Sequence, residues 1–148
     1  MIPSRKCIDL IKQFEGIYLQ AYKCPASVWT IGYGSTFYEN GKKVKEGEKI
    51  TLKRAEELLS WEVTVIASRM PDIIVNQNQY DALVSFAYNV GMGALNRSTL
   101  LQKVIANPND ETIRDEFMKW CKARVNGELR ILKGLQRRRK AEADLYES

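Results

Sequence analysis

The sequence predicts an α+β fold, with a small antiparallel sheet near the N-terminus and helices through the remainder. Three observations carry that prediction. Apolar residues recur at helical spacing over most of the chain. Residues 17–44 instead crowd tyrosines, Trp29, Ile31 and Phe37 between glycines, a composition that favours strands and turns. Strands and helices do not alternate, which argues against a doubly wound parallel sheet. A chain of 148 residues reads as a single domain, long enough to bury a sizeable core.

Residues 4–14 form the first predicted helix, because Cys7, Ile8, Leu10, Ile11 and Phe14 share one face. Ser4 after Pro3 supplies its N-cap and Gly16 its left-handed C-terminal position. Cys7, on the apolar face, reads as core. From Ile17 to Val44 the pattern predicts two or three antiparallel strands, with Asn40-Gly41 as a hairpin turn. Thr51 caps a helix running to about Arg69, with Leu52, Ala55, Leu58, Leu59, Val63 and Ile66 on one face, and Pro71 ends it. Asn76 and Gln79 resemble a capping box, opening a helix that carries Tyr80, Leu83, Val84, Ala87 and Val90 and stops at Gly91. Ser98–Ala106 is a short helix closed by Asn107-Pro108. Ile113, Phe117, Trp120 and Cys121 make the apolar face of another, capped around Asn109. Residues 124–134 read as a loop with Gly127 and Gly134, and a last helix covers 135–146. The expected division is a small sheet-bearing lobe over residues 15–50 and a helical lobe over 51–148, with helix 4–14 packed on it.

Apolar content of 45% and charged content of 28% suit a soluble globular protein. No apolar run approaches the ~20 residues of a bilayer span, so stable membrane insertion is not expected. Met1–Phe14 is interrupted by Arg5, Lys6, Asp9 and Lys12, unlike a signal peptide, and the expectation is synthesis in a cytoplasm. A net charge of +5 and a pI near 9.1 favour an anionic partner: nucleic acid, a membrane surface or an acidic wall polymer. The densest basic cluster, Arg137–Lys140, lacks the interleaved aromatics of a nucleic-acid site. At helical spacing its residues point in different directions, so contacts to an anionic wall polymer and a merely solvated face both fit. There is no histidine, and Cys7, Cys24 and Cys121 have no CxxC spacing, which argues against zinc and against Ser-His-Asp or Cys-His chemistry. Acid–base chemistry must then come from carboxylates, a thiol, tyrosines or lysines. Nothing in three cysteines calls for a disulfide. Trp29, Trp61 and Trp120 read as core, with Trp29 the exception as a sugar platform because it flanks Thr30.

Glu15 stands at the end of the first helix, where the macrodipole disfavours ionisation. Burial beside Phe14, Tyr18 and Tyr22 is expected to act the same way, and a protonated glutamate is what a general acid requires. Taken alone, Glu15 also fits a surface residue at a helix end.

The wider pattern decides between these. Glu15, eight residues, Cys24, five residues, then Thr30-Ile31-Gly32-Tyr33-Gly34 resembles the phage-type lysozymes, the endolysins of double-stranded DNA phages (glycoside hydrolase family twenty-four). Gln77-x-x-Tyr80-Asp81-Ala82-Leu83-x-Ser85-Phe86-x-x-Asn89-x-Gly91 is similar to the central helix of that family. Gly134-Leu135-x-x-Arg138-Arg139-x-x-Glu142 is similar to its Arg-rich C-terminal signature, and the match spans residues 4–146. The resemblance implies a lysozyme-like fold with a cleft between two lobes. It implies peptidoglycan muramidase activity, hydrolysis of the β-1,4 bond between N-acetylmuramic acid and N-acetylglucosamine, with bacteriolysis as the outcome. It implies Glu15 as general acid, Cys24 at the second catalytic position, Thr30 as the water-orienting residue and Arg138 as the buried arginine paired with the glutamate. Tyr88, Thr99 and Arg138 fall among its cleft and substrate-binding positions. Neither cofactor nor metal is implied. The protein would be a monomeric phage or prophage lysis enzyme that reaches peptidoglycan through a holin-type pore.

Two positions depart from the family. Cys24 replaces the usual aspartate. A neutral thiol neither activates water nor attacks a sugar well, whereas a thiolate does both, given a group that lowers its pKa. Lys23 is the adjacent candidate. Ser35 stands where many relatives carry a histidine that pairs with an acid on the helical side, a change expected to affect stability rather than chemistry. Two rival functions follow from Cys24: a peptidoglycan-binding module without catalysis, or a lytic transglycosylase, which needs one acid and no water-activating partner.

Overall fold

In the computed structural model, which describes residues 1–148, the chain opens with α1 (Arg5–Glu15). Ser4 caps it, its hydroxyl accepting from the Lys6 amide, and Asp81 in turn accepts from the Ser4 amide and hydroxyl. Gly16 follows at φ 67°, a setting that is strained for any residue with a Cβ, and redirects the chain into β1 (Tyr18–Lys23). β1 pairs antiparallel with β2 (Trp29–Gly32), Tyr22 lying opposite Thr30 and Lys23 opposite Trp29. The third expected strand is reduced to isolated bridges, Gln20 with Lys49 and Phe37 with Lys43. Asn40-Gly41 does turn the chain between Phe37 and Lys43, where the Tyr38 amide donates to the Lys42 carbonyl at 2.9 Å.

The long helices follow the apolar periodicity. α2 (Leu52–Ser68) starts on Thr51, and α3 (Gln77–Val90) starts on a complete Asn76–Gln79 capping box. A short α4 (Met92–Asn96), too brief for periodicity to reveal, precedes α5 (Thr99–Ala106), which Ser98 caps. α6 (Ile113–Met118) is shorter than expected and begins at Thr112, not Asn109. Asn109 instead accepts from Gln79 in a loop, and Trp120 and Cys121 lie beyond the helix end. Residues 124–134 are not a loop. β3 (Lys122–Val125) and β4 (Glu128–Ile131) form a hairpin whose turn, Asn126-Gly127, has φ of 52° and 81°, a pair of positive values that favours a tight two-residue connection. Neither strand is fully buried, so no apolar stripe marked it. α7 (Lys133–Glu147) closes the chain.

α3 is the central post, buried continuously from Gln79 to Ala87. On one side Leu83 and Phe86 pack with Leu95, Leu100, Ile113 and Phe117, and Phe86 meets Phe117 and Trp120 edge-on. On the other, Val84 and Tyr80 pack with Cys7, Ile11, Leu59 and Val63, joining α1 and α2. Each such side chain contributes roughly 1.5–3 kcal/mol on burial, and together they fix the end of α1 beside α3 and α7. The small sheet is seated on α2 through Ala21, Ile31, Val44 and Leu58. The C-terminus of α1, the end of β2 and the cleft-facing sides of α2, α3 and α7 thus converge on one place.

Candidate active site

Glu15, the last residue of α1, lies at that convergence with its side chain 22% exposed. Its Oε1 accepts from Nη1 of Arg138 at 2.6 Å. The guanidinium partner that the resemblance implies for this carboxyl is thus Arg138. Arg138 is buried, and its remaining nitrogens reach Oε2 of Glu142 and the Ser85 carbonyl, each at 3.3 Å. Its place among substrate-binding residues is accordingly corrected to a support for Glu15. Arg139 is wholly buried rather than turned to a wall polymer: it donates to Asn89 Oδ1 at 2.6 Å and lies 4.9 Å over the Phe86 ring. Its Nε is 2.9 Å from Glu142 Oε1, close enough for charge attraction but off line for a hydrogen bond. Only Arg137 and Lys140 of the basic cluster face solvent.

The β1–β2 connection presents Cys24. Pro25 follows it at the second position of a turn that the Ser27 amide closes on the Cys24 carbonyl at 2.8 Å. The thiol, half-buried at this turn, is held below the ordinary cysteine range. The Val28 amide is the main cause; the Ala26 amide and the Thr30 hydroxyl add to it against partial desolvation. Backbone amides thus do what was expected of Lys23. Thr30 is buried directly beside this turn, its Oγ1 3.0 Å from the Val28 carbonyl. Tyr22 lies opposite Thr30 on β1. Burial raises its phenol, and the charges of Tyr18, Cys24 and Glu15 all add to that shift.

A hollow of about 380 Å³ runs from Glu15 over Gly34, Thr36, Trp61, Glu62, Tyr88 and Asn89. A second, of about 670 Å³, opens at Cys24 between Trp29, Thr36 and Phe37. Trp61, expected in the core, is instead an exposed wall of the first hollow, and Trp29 lines the second while packing against the Ala21–Ile31–Val44–Leu58 cluster. Tyr88 is in place, its hydroxyl 2.9 Å from the Tyr33 carbonyl and 3.0 Å from Oε2 of Glu62. Thr99 is not brought to this cleft; it heads α5 and faces solvent. All three cysteines are free thiols.

Glu62, Asn89 and Gly34 were given no role by sequence reasoning. Glu62 had a signal: it is the one charge on the α2 stripe formed by Leu58, Leu59, Val63 and Ile66. Gly34 has φ 94°, and a Cβ there would stand 3.0 Å from Glu15 Oε2. Gly34→Ala is expected to destabilise the fold by about 1–2 kcal/mol through left-handed strain and to cut activity by pushing the carboxylate off line. Thermal unfolding and wall lysis, measured on the same preparation, check the two effects.

The phage lysozyme family matches residues 12–142. This chain belongs to that family. The endolysin of Acyrthosiphon pisum secondary endosymbiont phage 1 is 44% identical to it over 149 residues, covering 98% of this chain and 97% of that one. Among solved structures, an endolysin from Escherichia coli O157:H7 phage FAHEc1 superposes with a TM-score of 0.90 at 40% identity, covering 99% of this chain and 93% of that one. The muramidase domain of SpmX from Asticaccaulis excentricus superposes at 0.84 with 33% identity, covering 98% and 97%. The lysozyme-like α+β architecture is common to the family, and the cleft described above is this phage lysozyme's own version of it.

Proposed function

We infer that this phage lysozyme is a peptidoglycan muramidase, hydrolysing the β-1,4 bond between N-acetylmuramic acid and N-acetylglucosamine and so lysing bacterial walls. The observation that carries the inference is the Glu15–Arg138 pair at a hollow that shares Thr36 with the hollow opening at Cys24. In this reading Glu15 gives its proton to the glycosidic oxygen as the bond to the anomeric carbon breaks. The Cys24 thiolate takes a proton from a water held by Thr30, and that water's oxygen attacks the anomeric carbon from the opposite face, giving inversion. Trp61 and Tyr88 line the hollow in which the sugars lie. The whole of residues 1–148 acts as one lysozyme domain, monomeric, made in the host cytoplasm and delivered to the wall through a holin-type pore.

The role given to the thiol has a pH signature. A thiol held below its ordinary value stays ionised to lower pH, so thiolate-dependent turnover rises with pH through that lowered value and holds above it. Cys24→Ala is expected to lower kcat/KM by about a hundredfold and to erase this limb. Cys24→Asp is expected to retain lysis with the limb moved into the carboxylate range. If Cys24→Ala lyses walls as fast as the parent protein, the thiol takes no part.

A further inference from the structure

Tyr88 poses a problem of proton count. Its Oη is within hydrogen-bond distance of two oxygens, the Tyr33 carbonyl at 2.9 Å and Glu62 Oε2 at 3.0 Å. A phenol carries one hydrogen, and a carbonyl and an ionised carboxylate only accept. Burial keeps the Tyr88 phenol neutral well above its ordinary range, so it contributes neither a second proton nor a negative charge. Both contacts are satisfied only when Glu62 is a neutral carboxylic acid, donating to Tyr88 while Tyr88 donates to Tyr33.

The surroundings of Glu62 favour that form. It faces the Glu15 hollow from α2. Burial raises its carboxyl, and the negative charges of Glu15 on α1 and Glu39 beyond β2 raise it further. The hydrogen-bonding groups near it, Tyr88 on α3 and the Ser35 hydroxyl, act the other way. Ser35 is fully buried and approaches the carboxyl without completing a hydrogen bond; burial remains the largest influence and raises the carboxyl. The nearby cations are committed elsewhere. Arg138 of α7 binds Glu15, and Arg54 of α2 binds Glu39 through paired contacts of 2.6 Å.

We propose that Glu62 is a positioning residue, a neutral acid that latches the sheet-bearing side of the cleft to α2 and α3 through Tyr88 and the Tyr33 carbonyl. The latched corner is the one that matters most for Glu15, because Gly34, next to Tyr33, lies directly against the Glu15 carboxyl. Ionising Glu62 leaves two acceptors competing for one phenol proton and places a second negative charge in the same hollow as Glu15. The position of Glu15 is then tied to the protonation of Glu62. The proposal rests on the muramidase reading for its effect on turnover; the latch itself does not.

The sign of the stability effect follows from the raised value. A group whose pKa is higher folded than unfolded adds stability that is complete below the unfolded value and is lost as pH rises through the folded one. Glutamine at position 62 can still donate to Tyr88 and cannot ionise. Urea unfolding of Glu62→Gln and the parent protein should therefore agree in acid and diverge in favour of the variant as pH rises from about 4 to about 8. Turnover should stay within about twofold of the parent in Glu62→Gln and fall at least about tenfold in Glu62→Ala, because only glutamine restores the donor. Carbon-13 NMR of glutamate-labelled parent protein reads the carboxyl directly, and Glu62 should titrate at higher pH than the solvent-exposed glutamates. Titration of Glu62 together with them, or parallel unfolding curves, or equal loss in the glutamine and alanine variants, overturns the latch. These first two measurements need no substrate, so a parent protein that releases no muropeptide sinks the muramidase reading and leaves the latch decided by NMR and unfolding.

Discussion

Glu15→Gln is expected to lower muropeptide release from purified peptidoglycan by roughly 10²–10⁴-fold, the range in which a positioned general acid contributes. The fold should survive. A glutamine oxygen still accepts from Arg138, the side chain is partly exposed, and the core clusters on either side of α3 are untouched. Retained binding to sacculi with lost turnover is thus the expected result. The chemistry of the released ends separates the rival readings. Reducing N-acetylmuramic ends, present with the parent protein and absent with the variant, mark hydrolysis. Anhydro ends would mark a transglycosylase with no use for Cys24. No release by the parent protein, with binding intact, would mark a wall-binding module. Undiminished lysis by Glu15→Gln would remove Glu15 from the mechanism altogether.

Where local rules and burial agree, the sequence already contains the fold. Ser4, Thr51, Asn76 and Ser98 all accept from backbone amides at the starts of helices because short polar side chains before an apolar stripe do little else so well. The hairpin of β3 and β4 was illegible for the opposite reason. Leu129 and Ile131 lie exposed, so period-two alternation carries no information, and only the Asn126-Gly127 pair marked the turn. At the site, Glu15, Cys24 and Thr30 were legible through fixed spacing along one helix–loop–strand segment. Glu62 and Trp61 were not, since they reach the cleft from α2, 47 and 46 positions after Glu15, a separation that no local rule spans. The same limit applies to charge. Arg138 and Arg139 are adjacent in a basic run, yet tertiary packing buries both, while Arg137 and Lys140 remain in water.

Arg138→Met is expected to cost about 3–5 kcal/mol, the loss seen when one member of a buried ionic cluster is removed. The cluster is balanced as built: Arg138 and Arg139 face Glu142 and Glu15, two charges of each sign. Without Arg138, Glu142, which has no solvent exposure, retains only Arg139 and the Ser85 hydroxyl, and Glu15 loses its partner. For a chain of this size the midpoint of thermal unfolding should fall by roughly 10 °C. Arg138→Lys should rescue little, since one ammonium cannot span Glu15, Glu142 and the Ser85 carbonyl as the guanidinium fork does. Removing Glu142 as well separates stability from function. The double variant Arg138→Met/Glu142→Leu leaves the wholly buried Arg139 without a carboxylate, so calorimetry should show a larger loss than the single variant. Its turnover should remain as low as that of Arg138→Met, because Glu15 is still without the guanidinium that fixes its carboxyl in the cleft. Turnover retained in Arg138→Met would mean that Arg138 serves the fold and not the acid.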